Sequence, residues 1–273
     1  MSGSRPTDIE NQGEVADMPS QVVRDDLFLI DSSFLFEASE SSFLGASLLV
    51  DSEGRDHTRV FGVVREILRL RKKHGIRRAA IIVGRESVAA TTEAVLTDFL
   101  KLLSRLKVTV LRDDGDPVVD ICARHAHEAR WIISKNWALS QLATEDLGVF
   151  IPNESGDFEA VTGESLASLG IRADQVPSLL ALSENSDAPM KRPQAIRLLE
   201  LYGTLDAVLA EASSSPTSNW KRKLVPRKDD LLQRMAEMQV RTGTRIERTH
   251  KLYGVFIDPS KESAEALQSH GFL

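Results

Sequence analysis

The stretch that most constrains this chain is Leu27-Phe28-Leu29-Ile30-Asp31-Ser32-Ser33-Phe34-Leu35-Phe36. Four apolar residues run without a break into an acid, and two serines follow. A half-exposed strand alternates apolar and polar residues, so an unbroken run suits a strand covered on both faces of a parallel sheet. Asp31 then falls at the carboxyl end of that strand, the edge at which open α/β sheets hold their ligands. Burying a carboxylate there without a partner is costly. Asp31 therefore either holds a cation or caps the next helix.

The pattern repeats downstream. Thr58 to His74 carries Val60, Phe61, Val63, Val64, Ile67, Leu68 and Leu70 on one wide face, with Arg71, Lys72 and Lys73 in the last turn and Gly75 as the stop. Ala79 to Val83 is a second buried strand ending at Gly84, and Thr91 to Leu106 the next helix. Val108 to Leu111 is a third strand. It opens into Arg112-Asp113-Asp114-Gly115-Asp116-Pro117, the densest acidic turn, and Pro117 suits the first turn of a helix that runs on to Ala126. Trp131-Ile132-Ile133 and Gly148 to Ile151 are two more strands, with a short helix over Asn136 to Ala143 between them. Ala46 to Val50 fits either a short strand or a loop. Strands alternating with helices through short links specify a three-layer α/β domain with a mainly parallel sheet. From Thr162 the pattern turns helical: Gly163 to Leu169, Asp174 to Ser183, Arg192 to Tyr202, Thr204 to Ala212 and Lys228 to Val240, with a Ser/Pro/Thr break at Ser213 to Ser218.

Length and composition bound the rest. With 273 residues and 42% hydrophobic content, the chain can build one large core, or one core and a small module. Residues 1–26 read as a disordered acidic tail, 27–160 as the α/β domain, 161–248 as the helical region and 249–273 as an extension. The single cysteine, Cys122, excludes a disulfide framework and a Cys-rich zinc site, and points to a reducing, cytoplasmic compartment. No apolar run approaches a membrane span, and no signal-peptide core is seen, so no membrane partner is expected. The net charge of −6 does not announce a polyanion partner, but Lys221 to Lys251 is basic. In it Trp220-Lys221-Arg222-Lys223 sets an aromatic among cations, a composition that suits nucleic-acid backbone contact with stacking and equally a solvated helix flank.

Asp31, Asp114 and Asp116 are expected to meet at one sheet edge, with Asp187 from the helical part. Clustered carboxylates of this kind hold Mg²⁺ or Mn²⁺ for phosphodiester cleavage, and solvated acidic loops are the plainer alternative.

On these segments the chain resembles the 5′-nuclease, or flap-endonuclease-like, family, and within it the 5′–3′ exonuclease domain attached to bacterial DNA polymerases. The resemblance runs from about Leu27 to Glu247 and rests on ordered segments. Leu29 to Ala38 matches the opening strand, whose Asp is a metal ligand, and Phe61-Gly62-Val63-Val64 the Y-G-V-L helix start. Ser140-Gln141-Leu142 matches the end of G-D-K-D-x-x-Q-L. Ser178 to Leu182 precedes the place of the G-D-x-S-D-N loop, and Leu201 to Asp206 follows the helix–three-turn–helix element. The resemblance implies a PIN-like α/β domain followed by a helix–three-turn–helix region. It also implies a Mg²⁺- or Mn²⁺-dependent phosphodiesterase active on DNA, with a role in repair. Asp31, Asp114 and Asp116 would be its catalytic and metal residues, and Asp187 a further metal ligand.

Departures fall where that chemistry belongs. Gly84 stands where the second strand should end in a ligating Asp. E-A-D-D becomes Asp114-Gly115-Asp116-Pro117, with Asp120 one turn on either a partial substitute for the lost acid or, more plainly, a helix-surface acid. G-D-K-D becomes Lys135-Asn136-Trp137-Ala138, and the G-D-x-S-D-N loop becomes Glu184-Asn185-Ser186-Asp187-Ala188. Asn and Ala do not replace the anions that two adjacent divalent ions require, so weak binding of one metal is the most expected. Gly84 to Thr92 is too short for the family's basic arch. Pro189-Met190-Lys191-Arg192-Pro193 replaces its Gly-rich hairpin, leaving Lys191 and Arg192 as plain charges for phosphate. Three readings follow. One is a nucleic-acid-binding or structural subunit with an eroded metal site, contacting flap, duplex-end or single-stranded DNA, or RNA, through Lys191, Arg192, Lys221, Arg222 and Lys223. The second is a nuclease with a remodelled one-metal site. The third is a protein-interaction module that touches no nucleic acid.

Overall fold

In the computed structural model the described residues are 26–42, 58–89, 91–153, 157–184, 187–215 and 218–241. The segment Ala46 to Val50, the tail before residue 26 and the extension after 248 lie outside them.

The buried run ahead of Asp31 is the central strand β1 (Leu27–Asp31), every residue of it buried. Around it lie β2 (Arg78–Val83), β3 (Thr109–Arg112), β4 (Trp131–Ile133), β5 (Gly148–Pro152) and β6 (Phe158–Val161), in the order β3-β2-β1-β4-β5-β6. The first five strands are parallel and β6 pairs antiparallel with β5. The sheet is thus mainly parallel, as its apolar runs require. Sequence reasoning passes over β6: Phe158-Glu159-Ala160-Val161 is too short and too mixed to stand out, and its strand character comes from the edge of β5 beside it.

Alternate residues of β1 feed two cores. Phe28 and Ile30 join Ala79, Ile81, Val83, Ile133 and Phe150 on one face. There they meet α1 (Ser32–Ser42), α2 (Thr58–His74) and α4 (Glu93–Arg105) through Phe34, Leu35, Val63, Ile67, Phe99 and Leu103. Leu29, Ala80, Ile82, Ile132 and Val149 face the other way, onto α5 (Val118–His125) and the helical region. That region comprises α6 (Gly163–Ser168), α7 (Val176–Ser183), α8 (Arg192–Tyr202), α9 (Leu205–Ser214), α10 (Asn219–Leu224) and α11 (Lys228–Met238). Val176, Leu199, Val208 and Leu231 share one continuous cluster with the sheet.

Several bounds agree with the sequence closely, α2, β4 and α8 among them, because an apolar stripe and its stop signals coincide there. Others differ. From Glu37 the sequence reads as polar connection, yet Ser32 to Ser42 is helical: Phe34 and Leu35 reach the core, and the start is capped by Asp31 itself. Pro117 stands just outside α5, at its N-cap, with φ −66° and ψ 152°. The segment Trp137–Leu142 is a 3₁₀ helix, held at its start by Asn136 Oδ1, which accepts from the Ala138 N–H at 2.9 Å. The short helices α3 (Arg85–Ala89) and α10 carry too few apolar residues to show a period.

Candidate functional site

The site is built outward from the carboxyl end of β1. Register places Ile30 opposite Ile133, so the next residues of the two strands, Asp31 and Ser134, fall side by side. Asp31 is only 2% exposed. Its Oδ2 accepts from the Ser134 hydroxyl at 2.6 Å. Its Oδ1 accepts from the Ser33 backbone N–H at 2.9 Å and the Ser33 hydroxyl at 2.6 Å. Burial pushes the Asp31 carboxyl above its ordinary range. The donors from Ser134 and Ser33 oppose that rise, and the charge of Glu86 adds to it. Asp31 thus caps α1 while Ser134 bridges it to the next loop, where Ser134 Oγ accepts from the Asn136 N–H at 2.9 Å.

Sequence reasoning misses Glu86. It stands two residues past Gly84, and its Oε2 accepts from the Val118 N–H at 3.0 Å, at the start of α5. The available signal is an acid just beyond the end of the second strand, displaced from the position that the family's pattern occupies. At that position there is no room for a side chain. A Cβ on Gly84 would lie 2.8 Å from both the Val118 N and Val118 Cγ2, and 3.1 Å from the Asp116 carbonyl oxygen. The start of α5 packs directly onto the strand end.

The acidic turn after β3 is neutralised from within. Asp114 is exposed and gripped bidentately by Arg112, Nε to Oδ1 at 2.6 Å and Nη2 to Oδ2 at 2.7 Å, which holds its carboxyl below the usual range. Asp116 accepts from Arg124 on Oδ2 and from Arg241 Nη1 on Oδ1 at 3.2 Å; Arg124 before all, then Arg241, lowers its pKa. Arg124 also reaches Asp113 Oδ2 at 3.3 Å. Asp120, which the sequence presents as a helix-surface acid, is instead 1% exposed. It sits in the first turn of α5 and accepts the Arg241 backbone N–H at 3.0 Å, so the helix face it occupies is covered by the chain's own later segment.

Asp187 lies exposed in the loop between α7 and α8, where its backbone carbonyl accepts from Arg227. Asp31, Asp114, Asp116 and Asp187 are therefore held in four different settings. Among the described residues no three His, Cys, Asp or Glu side chains are grouped to hold a metal ion. The donor set explains this. Both oxygens of Asp31 already accept from hydroxyls, the two acids of the turn face guanidinium groups, and Asn136 and Ala138 supply no charge. So arranged, these side chains do not fit a divalent ion, which needs several anionic oxygens turned toward one point.

The cations predicted for nucleic acid divide into two groups. Lys191 and Lys223 line one open cavity of about 460 Å³ together with Ser183, Ala188, Pro189, Met190 and Gln194. It lies where α8 begins, with Lys191 at the N-cap. Tertiary structure thus joins two residues 32 positions apart in sequence (223 − 191). Among the described residues neither ammonium has a carboxylate partner. The others are engaged or lie elsewhere. The Arg192 guanidinium stacks 3.7 Å from the centre of the Trp137 ring. Lys221 pairs with Glu211 and lies 5.6 Å over the Trp220 ring. Arg222 is exposed on α10, outside the cavity.

No protein-family model matches the chain, and no curated protein matches it in sequence. Solved structures do match in three dimensions. The catalytic core of Rad2 in complex with DNA substrate superposes with a TM-score of 0.64 at 16% identity, over 91% of this chain and 88% of that one. A bacteriophage T5 flap endonuclease in a pseudo-enzyme–product complex with DNA and metal ions gives 0.55 at 13%, over 89% and 98%. The T5 5′-exonuclease with bound zinc gives 0.52 at 13%, over 78% and 88%. At these identities the likeness is one of fold.

Proposed function

From the flap-endonuclease-like 5′-nuclease fold that this chain has, we propose that it is a nucleic-acid-binding protein in which the inherited metal site has been given over to structure. Its ligand on this reading is DNA, at a flap or duplex end, held through phosphates by Lys191 and Lys223, with little or no cleavage. The observation that carries it is the shared cavity, lined by two lysines from different elements whose ammonium groups have no carboxylate partner among the described residues. A concave, cation-lined surface favours an anionic ligand through the charge of its ammonium groups. The acidic edge supports the same reading from the other side: its carboxylates are spoken for by Arg112, Arg124, Arg241, Ser33 and Ser134.

The test is a binding and cleavage assay on 5′-flap DNA, duplex ends, single-stranded DNA and RNA, with Mg²⁺ or Mn²⁺, beside Asp31→Ala and Lys191→Ala/Lys223→Ala. Binding that needs the two lysines, without metal-dependent cleavage, is the expected result. Metal-dependent cleavage abolished by Asp31→Ala would establish the one-metal nuclease instead. Absence of any nucleic-acid binding would favour an interaction module.

A further inference from the structure

After α11 the chain does not leave the molecule. Gln239 turns to extended backbone, with φ −71° and ψ 139°, and residues 239–241 run back as a strap toward α5 and the acidic turn. Gln141 grips the start of this strap with both ends of its amide. Its Nε2 donates to the Met238 carbonyl at 2.8 Å and its Oε1 accepts from the Val240 N–H at 3.0 Å. The next residue, Arg241, is held at three points: its N–H on Asp120 Oδ1 at 3.0 Å, its Nε 3.3 Å from Asp120 Oδ2, and its Nη1 on Asp116 Oδ1 at 3.2 Å.

The charges explain why this arrangement holds. Asp120 is buried, and among the described residues no hydrogen bond reaches its Oδ2; the Arg241 guanidinium is the positive charge beside that atom. A buried carboxylate deprived of its partner is strongly unfavourable. Arg241 joins Asp116 to Asp120, and Arg124 joins Asp116 to Asp113. Three carboxylates and two guanidiniums leave one net negative charge, and the planar cations stand between the acids and keep them from converging.

We infer that the strap is an intramolecular cation plug, in which Arg241 supplies the positive charge that a divalent ion would otherwise bring to the acidic turn and so closes the turn to metal while it is docked. This rests on the reading of the metal site as given over to structure, and adds the element that does it. Removing the Arg241 charge leaves three carboxylates facing one arginine, a balance that suits one divalent cation bound through oxygens. Gln141 is a positioning residue: anchored to the Ala138 carbonyl at 2.7 Å, it bonds the backbone of Met238 and Val240 and so sets where Arg241 arrives, without touching the acids itself.

The experiment is Mn²⁺ titration of the full chain, followed by the electron paramagnetic resonance of free Mn²⁺ and by thermal melting with and without the ion. The proteins are the parent, Arg241→Gln, Gln141→Ala and Arg241→Gln/Asp116→Asn. Arg241→Gln keeps the backbone N–H on Asp120 Oδ1 and removes the charge beside Oδ2, so it should melt lower than the parent without the ion, and the melt measures that cost. It is expected to bind Mn²⁺ about tenfold or more tightly than the parent and to melt higher in its presence. Gln141→Ala should show a smaller gain, and the added Asp116→Asn should abolish the gain. If parent and Arg241→Gln are equally silent, the plug is wrong and the nucleic-acid reading stands. If both bind Mn²⁺ equally well, the plug and the reading of the metal site both fall.

Discussion

Two charged regions of this molecule are made in opposite ways. At the carboxyl edge of the sheet, the acids are answered one by one by groups of the same chain. Asp114 has Arg112, Asp116 has Arg124 and Arg241, Asp120 has Arg241, and Asp31 has two serines. At the start of α8, Lys191 and Lys223 line one open cavity, with no carboxylate among the described residues to answer them. Charge compensated inside the chain has little attraction left for a ligand, whereas charge of one sign gathered in a concavity keeps its field for one. A cluster of acids in the sequence is therefore not yet a metal site, and two lysines far apart in the sequence can be a stronger pointer to a ligand.

The largest expected effect tests whether the acidic edge still has space for the carboxylate that the fold's pattern places after β2. Gly84→Asp should lower unfolding free energy by about 1–3 kcal/mol through overpacking against the start of α5, read from urea denaturation. A variant as stable as the parent would show that the edge can reopen. Next comes the cavity. Lys191→Ala/Lys223→Ala should weaken duplex-end DNA binding by about tenfold and reduce the slope of log affinity against log salt by roughly one for each phosphate no longer neutralised. Lys221→Ala should do less, because Glu211 already holds that ammonium; an equal effect would erase the distinction between the two groups of cations.

A third outcome concerns pH. Asp31 has a folded pKa above its unfolded value of 3.8. Between those two values the folded state binds more protons than the unfolded one, so stability falls as pH rises through the window. It is greatest below 3.8, and the contribution is gone once the folded carboxyl has ionised. Asp31→Asn should flatten that part of the stability profile and leave the protein no less stable at neutral pH. A steepened profile would mean that the ionised carboxylate is favoured by a cation. The smallest effect belongs to the exposed pair: Asp114→Asn should change stability by less than about 0.5 kcal/mol, as surface ion pairs do.

Much of this is legible in order along the chain. The apolar runs of β1, β2 and β4 require a parallel sheet, the stripe from Val60 to Leu70 requires α2, and Asp31 falls at the strand end where it stands. These depend on contacts between near neighbours or on the simple demand that apolar residues be covered. Segments whose character is borrowed are not legible: β6 depends on the edge of β5, and α1 on the cap that Asp31 provides.

Residue type and local period are written in the chain, and they suffice for the layered fold and for the poverty of carboxylates at the positions where a 5′-nuclease pattern puts them. Which charges meet was left to the packing of distant segments. That packing sealed Gly84 beneath Val118, buried Asp120 under Arg241 from 121 positions away, and brought Lys223 to Lys191. The physical reason is that a side chain's ionic partner is set by distance in space and by access to water, and neither can be read from its neighbours in sequence.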